Sequence, residues 1–404
     1  MPKRPITDPM LRSIVNAQLS RRRMLMGAGG LTVASMLAAC GTGGSSGGQA
    51  EAAATAAADL SEAEKTVSWA NWTLYLDYDE ATGTYPSLEA FSQATGIEAN
   101  YSEDVDGNDT YFGKVQGQLS AGQDIGADIV TLTDWMAGRL IRLGYTQELD
   151  RANVPNAGNL LAGLQNVDFD PGRKHSLTWQ SGFAGIVWNK EAFPQGLQSV
   201  SDLWQPELKG RVEVLDEMRD TVGLLMMENG VDVAGDWGSD EFENALDILS
   251  KQISDGQIRQ VKGNSYKEDL ISGDALAVIG WSGDITQLNF EEGDKWGFAL
   301  PEAGGTLWSD NLLVPIGSQH KANAEKLMNY YLEPDNAATV AAYVNYICPV
   351  EGAREAMESI DPELAENPLI FPTADYLSRA HVVRTLTPDE ETDFSDRFQT
   401  AIGS

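Results

Sequence analysis

Short apolar runs separated by amphipathic stretches recur along residues 60–404. Runs rich in Val, Ile, Leu and Trp predict strands over Thr66–Ala70, Asp128–Leu132, Gly185–Trp188, Arg211–Leu215, Ala275–Gly280 and Asn311–Pro315. Apolar positions three and four apart predict helices over Ser87–Thr95, Tyr111–Ala121, Thr221–Asn229, Asp240–Ser254, Asn323–Leu332 and Asn336–Val344. Strands alternating with helices describe an α/β protein with largely parallel sheets. In open sheets of that kind a ligand sits beyond the carboxyl ends of the strands. The residues just after each apolar run are therefore the first candidates for function.

The first sixty residues follow a different pattern. Ser20-Arg21-Arg22-Arg23-Met24-Leu25 is a twin-arginine block, followed by an apolar stretch from Met24 to Ala39 that is too short to span a bilayer as a helix. It ends in Leu37-Ala38-Ala39-Cys40-Gly41, which resembles a bacterial lipobox, in which the cysteine is lipidated and becomes the first mature residue. Residues 1–39 thus read as a twin-arginine lipoprotein signal peptide, with Cys40 as the lipidation site. The Gly, Ser and Ala-rich stretch that follows, to about residue 60, cannot bury a core and reads as a flexible tether.

Composition narrows the function. The chain has 404 residues, 28 basic and 60 acidic, for a formal charge of −32. Without residues 1–39 it keeps 22 basic and 59 acidic side chains, a charge of −37. Such a body repels a polyanion, so nucleic-acid binding is not expected. Hydrophobic residues at 42% leave material for packed cores. Only Cys40 and Cys348 are cysteines, so no disulfide framework forms, and Cys348 is expected to be a small buried apolar group. His175, His320 and His381 are far apart and belong to no metal-binding motif, and neither metal nor cofactor is expected.

The segments after the predicted strands repeat one chemistry. They are Asn71-Trp72-Thr73-Leu74-Tyr75, Thr133-Asp134-Trp135, Asp216-Glu217-Met218-Arg219-Asp220 and Trp281-Ser282-Gly283-Asp284, and the last strand is entered through Trp308-Ser309-Asp310. Flat π-faces beside carboxylates suit a flexible ligand with ammonium groups and methylene spacers. A cation gains about 0.5–2 kcal/mol from an aromatic face and about 1.5–3 kcal/mol from a charge-assisted hydrogen bond.

These segments resemble the substrate-binding proteins of bacterial spermidine/putrescine ABC importers. The likeness continues through Phe91-Ser92-Gln93-Ala94-Thr95-Gly96-Ile97, Gly185-Ile186-Val187-Trp188-Asn189, Asp202-Leu203-Trp204-Gln205-Pro206-Glu207-Leu208-Lys209-Gly210 and Asn329-Tyr330-Tyr331-Leu332-Glu333-Pro334-Asp335. It covers about Thr66 to about Val350. The resemblance implies a two-lobed periplasmic-binding-protein fold of type II, closing about a hinge. On that pattern Trp72, Thr73, Tyr75, Thr133 and Trp135 line the first lobe, and Glu217 and Asp220 bring carboxylates from the second. Trp281 and Asp284 lie at a crossover, Trp308 and Asp310 add a further aromatic and acid, and Tyr346 is a distal aromatic.

The expected partition is 61–179 with 282–335 as the first lobe and 180–281 with 336–404 as the second. The stretch Leu76–Pro86 is longer than the family's and is expected against the crevice mouth. The function implied is that of a monomeric, non-enzymatic protein, lipid-anchored on the outer face of the cytoplasmic membrane. It would capture a polyamine and deliver it to ABC permease subunits. Two other readings remain: the same scaffold binding another small cationic or chelated solute, and an exported hydrolase using Glu217 and Asp220 as a carboxylate pair.

Overall fold

A computed structural model describes residues 55–105 and 107–403. The expected signal peptide, Cys40 and most of the expected tether lie outside the described residues. Ten strands, β1 (Thr66–Trp72), β2 (Glu98–Val105), β3 (Ile129–Thr133), β4 (Ser176–Asn189), β5 (Val212–Leu215), β6 (Ile258–Lys262), β7 (Ala277–Trp281), β8 (Trp296–Ala299), β9 (Gly305–Leu313) and β10 (Ala380–His381), form one continuous sheet. The order is β2-β1-β3-β9-β4-β7-β5-β6, with β10 paired to β9 and β8 to β4.

The α/β class is as expected, but the sheet is mixed. β1–β2, β1–β3, β5–β6 and β5–β7 are parallel, whereas β4 and β9 run antiparallel to each other and to β3, β7 and β8. The two antiparallel strands are the long ones, and they join two separate cores. β4 starts with Leu177 and Trp179 in one core and ends with Ala184, Ile186 and Val187 in the other. β9 returns with Leu312 and Leu313 in the first lobe. A register shift interrupts the β4–β9 ladder between Thr178 and Gln180, where the chain leaves one core for the other. Such a bulge bends and twists a strand, which is the geometry a crossover between lobes requires.

The first lobe buries β1 and β3 between two apolar layers, with β2 at the sheet edge. Helices Pro86–Thr95, Lys321–Tyr331 and Pro334–Val344 cover one face, and Asn108–Ser120 and Asp134–Arg142 the other. The second lobe packs helices Met218–Glu228, Ser239–Ser254 and Pro388–Ile402 on β5 and β7.

These cores draw boundaries different from the expected ones. Ile285, Leu288 and Trp296 belong to the second core, whereas Ala337, Val344, Cys348, Val350, Met357 and Ile370 belong to the first. The chain crosses along β4 and β9 rather than at the Trp281–Asp284 segment. Helix Ser282–Glu292 begins directly after β7 and so stays with that strand's lobe. After Ile370 the chain returns across β10, and Leu386, Phe394 and Phe398 close the second core.

Cys348 is buried, as expected, with its thiol pushed up to about 12 by desolvation. Leu76–Pro86 does not reach the crevice mouth. Asp77 within it is fully buried and accepts hydrogen bonds from the Ser87 amide (2.9 Å) and hydroxyl, tying down the start of helix Pro86–Thr95. Among the described residues, no helix is long and apolar enough to cross a membrane.

Candidate functional site

The carboxyl ends of β1, β3, β5 and β7 converge on a crevice of about 820 Å³ between the lobes, and the middle of β9 passes beneath it. All twelve residues singled out above line this one cavity: Trp72, Thr73, Tyr75, Thr133, Trp135, Glu217, Asp220, Trp281, Asp284, Trp308, Asp310 and Tyr346. None of the residues of the Leu76–Pro86 stretch is among those lining it.

Asp310 anchors the first-lobe side. It pairs in register with Thr133 across the antiparallel β3–β9 ladder, which brings the Thr133 hydroxyl to 2.7 Å from Oδ1. The Tyr75 hydroxyl donates to Oδ2 at 2.8 Å. Thr133 is the residue preceding helix Asp134–Arg142, where a threonine would ordinarily cap the helix, yet its side chain makes no cap. The hydroxyl accepts from Asn108 Nδ2 at 3.0 Å and turns its proton to Asp310. A forgone cap costs about 1 kcal/mol, a local sacrifice of the kind found at binding sites. Burial pushes the Asp310 carboxyl up to about 7, although both hydroxyls favour its ionised form.

Three further carboxylates come from the second lobe. Glu217 caps helix Met218–Glu228 by accepting from the Arg219 amide, and its carboxylate lies 4.0 Å from the Arg219 guanidinium. Desolvation by the crevice walls pushes it up to about 7. Asp220, in the first turn of the same helix, accepts from Trp281 Nε1 (2.7 Å) and the Thr306 hydroxyl (2.6 Å), and burial raises it as well. Asp284 lies in the first turn of helix Ser282–Glu292, where the helix dipole favours negative charge. It accepts from the Tyr266 hydroxyl at 2.7 Å, Asn264 Nδ2 at 3.0 Å and Lys267 Nζ at 3.0 Å.

Aromatic rings complete the walls. Tyr346 stands between Trp308 (5.3 Å between ring centres) and Tyr75 (5.9 Å), and its hydroxyl reaches Asp284 at 3.3 Å. Glycines make room for these rings. A Cβ at Gly283 would lie 2.6 Å from the Tyr346 ring, and one at Gly182, opposite Trp308 in the β4–β9 ladder, 2.3 Å from the Trp308 ring. Gly283→Ala should therefore displace Tyr346 and lower stability by about 1–3 kcal/mol, the usual cost of overpacking. A denaturant melt checks this, and an unchanged midpoint would show that the ring moves aside without cost.

Trp135 lines the crevice with a ring that is already occupied. The guanidinium carbons of Arg219 and Arg139 lie 4.5 and 5.0 Å from its ring centre, so protein cations already face it. Arg219 pairs with Glu217 and, at 3.3 Å, with Glu391. Glu391 also takes Arg139 (3.2 Å) and Arg142 (3.0 Å) from the first lobe, so one buried carboxylate on the second-lobe helix Pro388–Ile402 ties the lobes together beside the crevice. Sequence reasoning missed Asn108, Asn264, Tyr266, Lys267 and Thr306. Asn108 follows β2, and Asn264, Tyr266 and Lys267 follow β6, two strands whose polar sequences hid them.

The arrangement suits binding rather than turnover. Glu217 is held as a helix cap and Asp220 by an indole and a hydroxyl, which leaves neither as a general base with an adjacent nucleophile. Two lobes joined by crossing strands around a ligand-sized crevice define a solute-binding protein, not an enzyme.

Comparison with known proteins agrees with this class. The family model for bacterial extracellular solute-binding proteins matches residues 87–373, and the chain belongs to that family. It is similar to the spermidine/putrescine-binding periplasmic protein 1 of Haemophilus influenzae, at 27% identity over 328 residues, covering 79% of this chain and 86% of that one. It is also similar to the putrescine-binding periplasmic protein PotF of Escherichia coli, at 26% identity over 347 residues, 81% of this chain and 89% of that one. Among solved structures, the spermidine/putrescine ABC transporter substrate-binding protein PotD of Streptococcus pneumoniae shares the fold, with a TM-score of 0.71 and 23% identity over 84% of this chain and 98% of that one.

Proposed function

We propose that the chain captures a linear polyamine in the crevice and hands it to the permease of an ABC importer. The observation that carries this reading is a set of buried carboxylates contributed by both lobes, Asp310 from one side and Asp220 and Asp284 from the other, framed by Trp281, Trp308 and Tyr346. An ammonium group satisfies each buried charge, and methylene spacers satisfy the rings. The relatives named for spermidine and putrescine binding support the same ligand class. A ligand contacting both lobes holds them together. Micromolar affinity, about 8 kcal/mol, exceeds the roughly 5.5 kcal/mol needed to swing a two-state hinge from 1:99 to 99:1.

The twin-arginine block and the Cys40 lipobox support export and a lipid anchor, with the tether letting a monomeric body reach its permease from the membrane surface. Titration calorimetry on the chain lacking residues 1–40, with putrescine, spermidine, arginine and an uncharged diol, tests the ligand class. Saturable heat with a polyamine and none with the diol is the expected result. No polyamine heat at millimolar ligand would end this reading.

A further inference from the structure

The four carboxylates found by sequence fall into two kinds. Asp310 and Asp220 are met by neutral donors: two hydroxyls on the first, an indole N–H and a hydroxyl on the second. Glu217 and Asp284 each already face a cation of the protein itself, Arg219 and Lys267. The two cations differ in how firmly they are held. Arg219 is fixed by Glu217, Glu391 and the Trp135 ring together. Lys267 is anchored in the crevice by Asp284 through a single ammonium at 3.0 Å, on a side chain one quarter exposed. A lysine ammonium is also the protein's own counterpart of a polyamine terminus, a primary amine at the end of a methylene chain.

Resting on the polyamine reading above, we propose that Lys267 determines specificity by occupying the Asp284 carboxylate as a built-in ammonium. Of these four carboxylates, Asp310 and Asp220 then remain without a protein cation in contact, for the two ends of a diamine. A triamine must place its third ammonium where Lys267 already sits. It either expels that side chain toward solvent or turns its third charge to the exposed Asp216 at the crevice wall, outside the buried set. Asp284 keeps its hydrogen bonds from Tyr266, Asn264 and Tyr346 in either case, so the site tolerates the exchange without collapse. Selection between diamine and triamine thus rests on a residue outside the segments that carry the family likeness.

The test is the ratio of spermidine to putrescine affinity, measured by calorimetry on the unaltered chain and on Lys267→Met, Lys267→Gln and Lys267→Arg. Methionine keeps the length of the side chain without its charge, glutamine keeps a donor without charge, and arginine keeps the charge. The ratio should shift toward spermidine by about tenfold in both neutral variants and stay within about twofold in the arginine variant. Thermal melts of the same samples separate this from a fold defect, and the two neutral variants guard against one of them misfolding. An unchanged ratio in the neutral variants, or an equal gain for both ligands, would overturn the assignment while leaving polyamine binding intact. Absence of polyamine binding by the unaltered chain would instead remove the reading on which it rests, and the assignment with it.

Discussion

Asp310→Asn is expected to remove most of the polyamine affinity without weakening the fold. The substitution keeps side-chain shape and deletes a charge whose partners are two hydroxyls, those of Tyr75 and Thr133. Both hydroxyls rotate to suit an amide, which accepts at one atom and donates at the other. The lost interaction is a charge-assisted hydrogen bond to an ammonium, worth about 1.5–3 kcal/mol, or roughly ten- to a hundredfold in Kd. Stability should move the other way, because a buried carboxylate without a cationic partner costs the folded state. Calorimetry and a thermal melt on one preparation give both numbers. Equal affinity in the variant would place the ammonium elsewhere, and a large drop in Tm would make Asp310 a structural residue.

Affinity should also depend on pH across a range where the ligand does not titrate. Aliphatic ammonium groups resemble lysine, near 10.4, and stay charged below pH 8. Asp310 is pushed up to about 7 by desolvation, and an ammonium binds only its ionised form. Between pH 8 and pH 6 the ionised fraction falls about tenfold, so Kd should rise about tenfold from this group alone. Glu217, also pushed up to about 7, steepens the trend if it senses the ligand. For the unliganded chain the sign is reversed. A carboxyl whose folded value lies above its unfolded value of about 4 contributes stability that is fully present below that value and is lost as pH rises through about 7. The ligand-induced rise in Tm should therefore shrink on acidification, because the stability gained by the unliganded fold is the same free energy that appears as the loss of affinity, and the affinity profile should flatten in Asp310→Asn. A Kd that is constant from pH 6 to pH 8 would show that Asp310 is already ionised in the unliganded crevice.

The α/β class and the crevice residues were legible because buried strands announce themselves as apolar runs, and the site follows directly from their ends. Trp72, Thr133, Glu217 and Trp281 all sit at or just after such a strand. Where the strand was polar, the site went unseen. β2 alternates exposed and half-buried residues along nearly its whole length, and β6 reads Ile-Arg-Gln-Val-Lys with only Ile258 buried. Asn108 and Lys267 stand a few residues beyond those two strands, so the same rule would have found them had the strands been recognised. The lobe boundaries were illegible for another reason. A strand that passes from one core to the other is buried along nearly its whole length, and β4, which mixes Ser, Thr and Gln with its apolar residues, gives no local sign of where it changes partners. Pairing is likewise invisible in a single strand, which is why β4 and β9 turned a supposedly parallel sheet into a mixed one. Trp135 shows the limit of composition: an aromatic at a strand end marks the crevice, but not which cation takes its face.

Whether buried carboxylates from both lobes receive the ammonium ends of a polyamine is decided by a crystal structure of the chain grown with putrescine. The diamine should lie inside the crevice, one nitrogen at about 3 Å from Asp310 and the other at Asp220, with methylenes against the tryptophan rings and Lys267 still on Asp284. A closed crevice holding an anionic or uncharged solute, or putrescine bound away from Asp310, would contradict this.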